Sequence, residues 1–172
     1  MRPDPGEVLH FSEDPTITRF LPHVASTARQ RTPYVWAVDH TRSPDYWFPR
    51  ACPRAMAWSP TAHPLLSPGT TRLHAIEYGW LEPLRTVRLY AYRLPATAFT
   101  PFGTGEPHAH VATIPITPLG PPEPVGDLLH LHEEAGIELR VLPTLWPLWD
   151  TITTSTLSFS GIRLGNALPR SP

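Results

Sequence analysis

Proline constrains this chain more than any other residue does. There are 24 prolines among 172 residues, spread along the whole length with no polyproline tract. Each one fixes φ and removes a backbone donor, so it ends a strand or breaks a helix unless it sits in the first turn. Prolines placed this way predict many short elements joined by stiff loops, and few long helices. A chain of this length can still bury a real core. An apolar content of 41% and a charged content of 17% belong to a globular sequence, not a disordered one. The reading is one domain over 1–172, with tails at 1–6 and 168–172.

Charge and cysteine exclude several function classes. The net charge of −1 gives no electrostatic reason to expect nucleic acid or an anionic membrane as a partner. All 14 basic residues are Arg, so Schiff-base and Lys-nucleophile chemistry are excluded for this chain's side chains. Every cation is instead a planar fork suited to carboxylate or phosphate. The single Cys, Cys52, rules out an internal disulfide and a Cys-based zinc site. No apolar run reaches membrane-spanning length, and the first residues lack a signal-peptide pattern, which points to a cytoplasmic protein.

Local patterns give the elements. Strands are expected at 7–11, 34–38, 54–58, 71–78, 87–94, 110–116 and, last, 137–142. The segment 87–94 carries apolar groups on both faces, so it reads as a central strand. Helical turns are expected at 15–20, 45–48 and 80–84, and longer helices at 125–135 and 146–155. Segments 22–32 and 103–107 read as a surface loop and a turn, and 97–102 as extended chain. The fold class that follows is α+β: a curved or split antiparallel sheet with short helices.

Candidate chemistry gathers in a few places. His10 is read at the end of the first strand, with Ser12 beside it; strand ends are where ligands meet a rigid scaffold. Tyr46, Trp47 and Phe48 cannot all point inward from one turn, so two are expected in the core and one on a pocket or the surface. Arg50, Arg54 and Arg163 have apolar or proline neighbours and so need an acidic partner or an anionic ligand; Asp39, Glu77 and Glu138 are available partners. His108 and His110 would share a strand face, as a metal requires, but no Glu follows within 111–114. His130 and His132 stand about 200° apart on a helix and cannot chelate together, whereas His130 and Glu134 can. That charged run reads as a solvated face, and no metal ligand is assigned. The segment 158–166 is dense in small polar groups and reads as a C-terminal segment pinned onto the sheet.

Three blocks carry a resemblance: Val-Leu-His-Phe-Ser-Glu-Asp-Pro at 8–15, Val-Trp-Ala-Val-Asp at 35–39 with Tyr-Trp-Phe-Pro-Arg-Ala-Cys-Pro-Arg at 46–54, and Phe-Ser-Gly-Ile-Arg at 159–163. Together they resemble a bacterial family known only as a domain of unknown function, over nearly the whole length. In element order the chain is also distantly similar to ADP-ribosyltransferase-like proteins, of the small rifamycin-modifying and RNA 2′-phosphotransferase types. That similarity implies NAD as cofactor. It implies that His10, with Ser12, holds a ribose hydroxyl, and that Tyr46 or Trp47 stacks on nicotinamide. Glu106 or Glu138 would supply the carboxylate, and Arg50 or Arg54, with Arg163, would hold the anionic part. The readings are therefore an NAD-dependent ADP-ribosyl transferase or glycohydrolase, a non-catalytic module for a nucleotide or other anionic small molecule, or a His-liganded metalloprotein.

Overall fold

No strand among the described residues exceeds six residues and no α-helix exceeds eight, as the prolines require. The computed structural model describes residues 1–24, 31–103 and 107–170. In chain order the strands are β1 (Glu7–Ser12), β2 (Val35–Ala37), β3 (Arg54–Trp58), β4 (Arg72–Glu77), β5 (Tyr90–Pro95), β6 (Thr100–Phe102), β7 (Ala109–Ala112), β8 (Glu123–Pro124), β9 (Glu138–Leu142) and β10 (Ser158–Ile162). The α-helices are α1 (Leu81–Thr86), α2 (Leu128–Glu134) and α3 (Trp146–Thr153). The class is α+β. No helix among the described residues is long and apolar enough to cross a membrane.

The described strands form three sheets, and the chain divides into two compact units. The first unit is Met1–Trp47 with Arg88–Gly126. It holds the sheet β1-β5-β8, with β5 in the middle as its two apolar faces predict, and the sheet β2-β7-β6. Leu9 and Val38 exchange two backbone hydrogen bonds of 2.8 Å, which tie β1 to the end of β2. Val8, Phe20, Val35, Tyr92, Leu94 and Ile116 are among the side chains that fill the core between these strands. Arg93, across β5 from the core, is held by Glu7, Glu123 and Asp4 at 2.7, 2.6 and 3.2 Å.

One expected element is absent here. Residues 15–20 form no helical turn, and tertiary pairing is the reason. The Asp14 carboxylate accepts the Thr16 N–H at 2.8 Å, and Phe20 exchanges backbone hydrogen bonds with Ile116 at 2.8 and 2.9 Å. Extended pairing thus outcompetes a short helix that has little propensity to spare. The loop at 22–32 and the turn at 103–107 lie partly outside the described residues.

The second unit is Phe48–Val87 with Asp127–Pro172. Its sheet runs β10-β3-β4-β9, antiparallel except for the parallel pair β4–β9. Strand alternation splits the side chains between two faces. Ala55, Ala57, Leu73 and Ala75 pack with Leu145, Ile152 and Leu157, around α3. Met56 and His74 stand opposite each other on the other face. Helix α2 begins at Leu128 and not at 125, because the Asp127 carboxylate caps it by accepting the N–H groups of Leu129 and His130 at 2.9 and 3.2 Å. Upstream, Val125 donates its N–H to Leu89 O at 2.9 Å and so stays extended. Strand β9 is not the last: 158–162, read as a pinned closing segment, pairs with β3 as β10.

Candidate functional site

In the first unit, β1 carries His10 two residues before its end, not at the end. His10 faces Tyr92 of β5 in the ladder. Its Nδ1 lies 2.7 Å from the Trp36 carbonyl, and its ring packs on Phe20 at 4.5 Å between centroids. A carbonyl can only accept, so Nδ1 carries the proton, and Nε2 of the neutral ring is an acceptor. Ser12 is buried, and its Oγ accepts the Asp14 N–H at 3.1 Å, shaping the bend after β1.

After β2 the chain turns through Asp39 to Trp47. Asp39 Oδ1 accepts the Arg42 N–H at 2.9 Å, and a 3-10 turn follows at Ser43–Tyr46. Arg42 is buried; its Nε donates to Pro107 O at 3.2 Å, and its Nη1 lies 3.7 Å from Asp45. Of the aromatic triplet, Trp47 and Phe48 are 2% and 1% exposed, while Tyr46 is half-buried. The Trp47 indole N–H donates to Met1 O at 3.2 Å, and Arg2 lies over its ring at 5.7 Å. Trp47 is therefore a packing residue of the first unit, and Tyr46 is the member of the triplet with surface to offer.

Two histidines from the β7 segment meet this turn. His110 Nε2 lies 3.2 Å from Asp39 Oδ2. His108 packs its ring on Phe102 at 5.5 Å. Burial, and then the Arg42 charge, hold the His108 imidazole below its ordinary value. The two side chains thus go to different neighbours and do not act as one chelating pair. Among the described residues no three His, Cys, Asp or Glu side chains converge as a metal would need. Glu106 lies outside the described residues.

The second unit holds the three arginines singled out from the sequence. Arg54 opens β3 and stands opposite Ile162 of β10, which places Arg163 next in line. Asn166 Nδ2 donates to Ala51 O at 2.7 Å and draws the turn after β10 against the 50–52 bend. The backbone at Arg50, Arg54 and Arg163 is thereby drawn to one end of the β3–β10 pair. Arg50 is exposed and Arg163 half-buried. Arg54 is buried, donates Nη1 to Cys52 O at 3.0 Å and stacks over Phe48 at 5.0 Å. Burial pushes the Cys52 thiol up to about 12 against the pull of Arg54, and Glu77 adds to the rise.

Both carboxylates of this unit that the sequence offered as partners are engaged. Buried Glu77 accepts the backbone N–H of Leu145 at 3.2 Å and of Leu168 at 3.0 Å. Glu138 accepts Ser67 N–H at 2.9 Å and Arg140 Nε at 2.7 Å, bracing the turn before β4. His10 belongs to the first unit and Glu138 to the second.

Sequence reasoning passed over a buried pair in the second unit. His74 Nδ1 and His132 Nε2 are 3.0 Å apart, both side chains are at most 2% exposed, and Phe48 packs on both rings. His132 Nδ1 lies 2.7 Å from Leu128 O. The solvated-face reading of α2 holds for His130, which meets Glu134 at 3.3 Å on the surface, but fails for His132. The available signal was spacing: His132 lies one helical turn beyond Leu128 on the apolar side, and His74 sits inside the apolar run of β4.

No curated protein and no solved structure matches the chain. A family model does match, over residues 9–167, which takes in His10, the aromatic turn, the arginine corner and the histidine pair. The chain belongs to the family of unknown function DUF6886.

Proposed function

We propose that the protein binds a small anionic ligand, bearing phosphate or carboxylate, at the arginine corner of the second unit. One observation carries this reading: the β3–β10 register sets Arg54 opposite Ile162, and the Asn166–Ala51 hydrogen bond closes the same corner. Exposed Arg50 and half-buried Arg163 come from two distant stretches of chain, while buried Arg54 between them is committed to Cys52 O. A planar fork binds phosphate or carboxylate through two parallel N–H···O bonds, so Arg50 and Arg163 at this end of the β3–β10 pair favour an anion. Arg163 adds support with a left-handed backbone, φ 56° and ψ 25°. A non-glycine residue there costs roughly 1–2 kcal/mol, and such strain gathers at ligand sites. A small ligand also agrees with the near-zero net charge. The one buried thiol suits a reducing, cytoplasmic setting.

Differential scanning fluorimetry and calorimetric titration with inorganic phosphate, AMP and NAD test the reading. Binding by at least one of them is expected, weakened about tenfold or more by Arg163→Ala and relieved by high salt. No binding by any of the three at millimolar concentration ends it.

A second reading, an NAD-dependent ADP-ribosyl transferase or glycohydrolase on an ADP-ribosyltransferase-like scaffold, is favoured by His10. Its Nδ1 donates to the Trp36 carbonyl, which fixes the orientation of a ring that would meet the ribose. Tyr46 would stack on the nicotinamide, and Glu106 would supply the carboxylate. Release of nicotinamide from NAD by the full chain, lost in His10→Ala, is the expected result; no release under conditions where NAD binds leaves the binding module alone.

A further inference from the structure

The first unit holds a second site that neither reading uses. We propose that Asp39 and His110 form an acid–base dyad that takes a proton from a hydroxyl group, of water or of a hydroxyl-bearing small molecule, at Nδ1 of His110.

The geometry begins with Asp39. Its Oδ1 accepts the Arg42 N–H at 2.9 Å, and its carbonyl accepts the Ser43 hydroxyl at 2.7 Å. The residue is therefore fixed at both its side chain and its backbone. Its remaining oxygen, Oδ2, lies 3.2 Å from His110 Nε2. A carboxylate can only accept, so the proton of the neutral imidazole sits on Nε2. Nδ1 is then the basic nitrogen, and among the described residues it makes no hydrogen bond.

The imidazole is held from a second direction. His110 belongs to β7 and stands between Ala37 of β2 and Pro101 of β6, so its backbone is paired on both sides. The hydrogen bond of 3.2 Å from Arg42 Nε to Pro107 O ties the Asp39 turn to the start of the β7 segment. Two contacts thus join the Asp39 turn to the β7 segment. His110 and Asp39 keep 19% and 36% of their side-chain surface open to solvent, enough for a ligand to reach them.

This is the arrangement by which a carboxylate selects one tautomer and balances the charge of the imidazolium formed on proton transfer. In the step, the O–H bond of the hydroxyl breaks, its proton moves to Nδ1, and the electron pair stays on oxygen. The positive charge on the ring faces Asp39 Oδ2. No oxidant or metal is needed.

Diethyl pyrocarbonate tests the dyad on the full chain at pH 8. The basic nitrogen attacks one carbonyl of the reagent; the other half leaves as ethyl carbonate and decays to carbon dioxide and ethanol. Peptide mapping by mass spectrometry reads the rate at each histidine. His110 is expected to react several-fold faster than exposed His23, and Asp39→Asn to bring that ratio down at least threefold. Heteronuclear NMR of the wild-type imidazoles is expected to show the proton on Nε2 of His110. A His110 rate no greater than that of His23, a rate unchanged in Asp39→Asn, or a proton on Nδ1 overturns the proposal. Should Asp39→Asn fail to fold, the wild-type rate and tautomer decide it.

Discussion

His74 and His132 meet across 3.0 Å with a single hydrogen bond between them, and only one of the two nitrogens can donate it. The Leu128 carbonyl settles the direction. It accepts from His132 Nδ1 at 2.7 Å, so neutral His132 presents Nε2 as acceptor and His74 Nδ1 donates. The result is a directed chain from β4 through His74 and His132 into the first turn of α2. Such a buried polar link holds α2 in one place on the sheet, which apolar contact alone would leave less defined.

Replacing His132 by Ala leaves a cavity and strips His74 Nδ1 of its acceptor. A loss of about 2–4 kcal/mol is expected. Chemical denaturation reads it as a lower midpoint with little change in slope. A loss under about 1 kcal/mol would mean that the pair is incidental to packing.

Cys52 is buried, and its thiol is pushed up to about 12. Thiolate is the reactive form, so at pH 8 the native protein should resist thiol reagents over hours and react within minutes in denaturant. Fast labelling of the native chain would contradict the packing around the 50–52 bend.

Glu138 gives an acid-dependent test. Burial pushes its carboxyl up, but the Ser67 N–H and Arg140 outweigh burial and leave it below its ordinary value of 4.5. A carboxylate lowered on folding contributes stability above its unfolded value and loses it as pH falls through the folded one. Glu138→Gln should therefore cost about 1–2 kcal/mol at pH 7 and progressively less below about pH 4. Denaturation midpoints of the two proteins at several pH values check this; a gap that persists unchanged at pH 3 would remove charge from the explanation.

Gly161 lies in β10 beneath a ring. An added Cβ would come 2.5 Å from Leu164 Cδ1 and 2.7 Å from Trp149 Cη2. Gly161→Ala is expected to cost about 1–3 kcal/mol by overpacking. It should also shift Trp149 fluorescence. A stability equal to wild type would show that α3 yields at this contact.

Much of the frame was legible locally. The run 54–58 announced β3 to the residue, and the two-faced apolar pattern of 87–94 announced the central position of β5. The helix expected at 125–135 is there as α2, but the Asp127 cap sets its start at 128, and Gly136 with a φ of 63° follows its end. Of the site, local pattern suggested the arginines but not how they meet. It also suggested a helical turn at 15–20 that the Phe20–Ile116 bridge replaces.

Composition and period, which act over a few residues, determined that the elements are short, that two of the three aromatics at 46–48 are interior, and that the chain belongs to an α+β class. Only the tertiary structure decided which polar groups face each other: Asp39 with His110, His74 with His132, and Asn166 with Ala51 across 71, 58 and 115 residues. A side chain's neighbours at such separations depend on sheet order and register. Those are settled by which buried surfaces fit together and leave no trace in the spacing of any one segment.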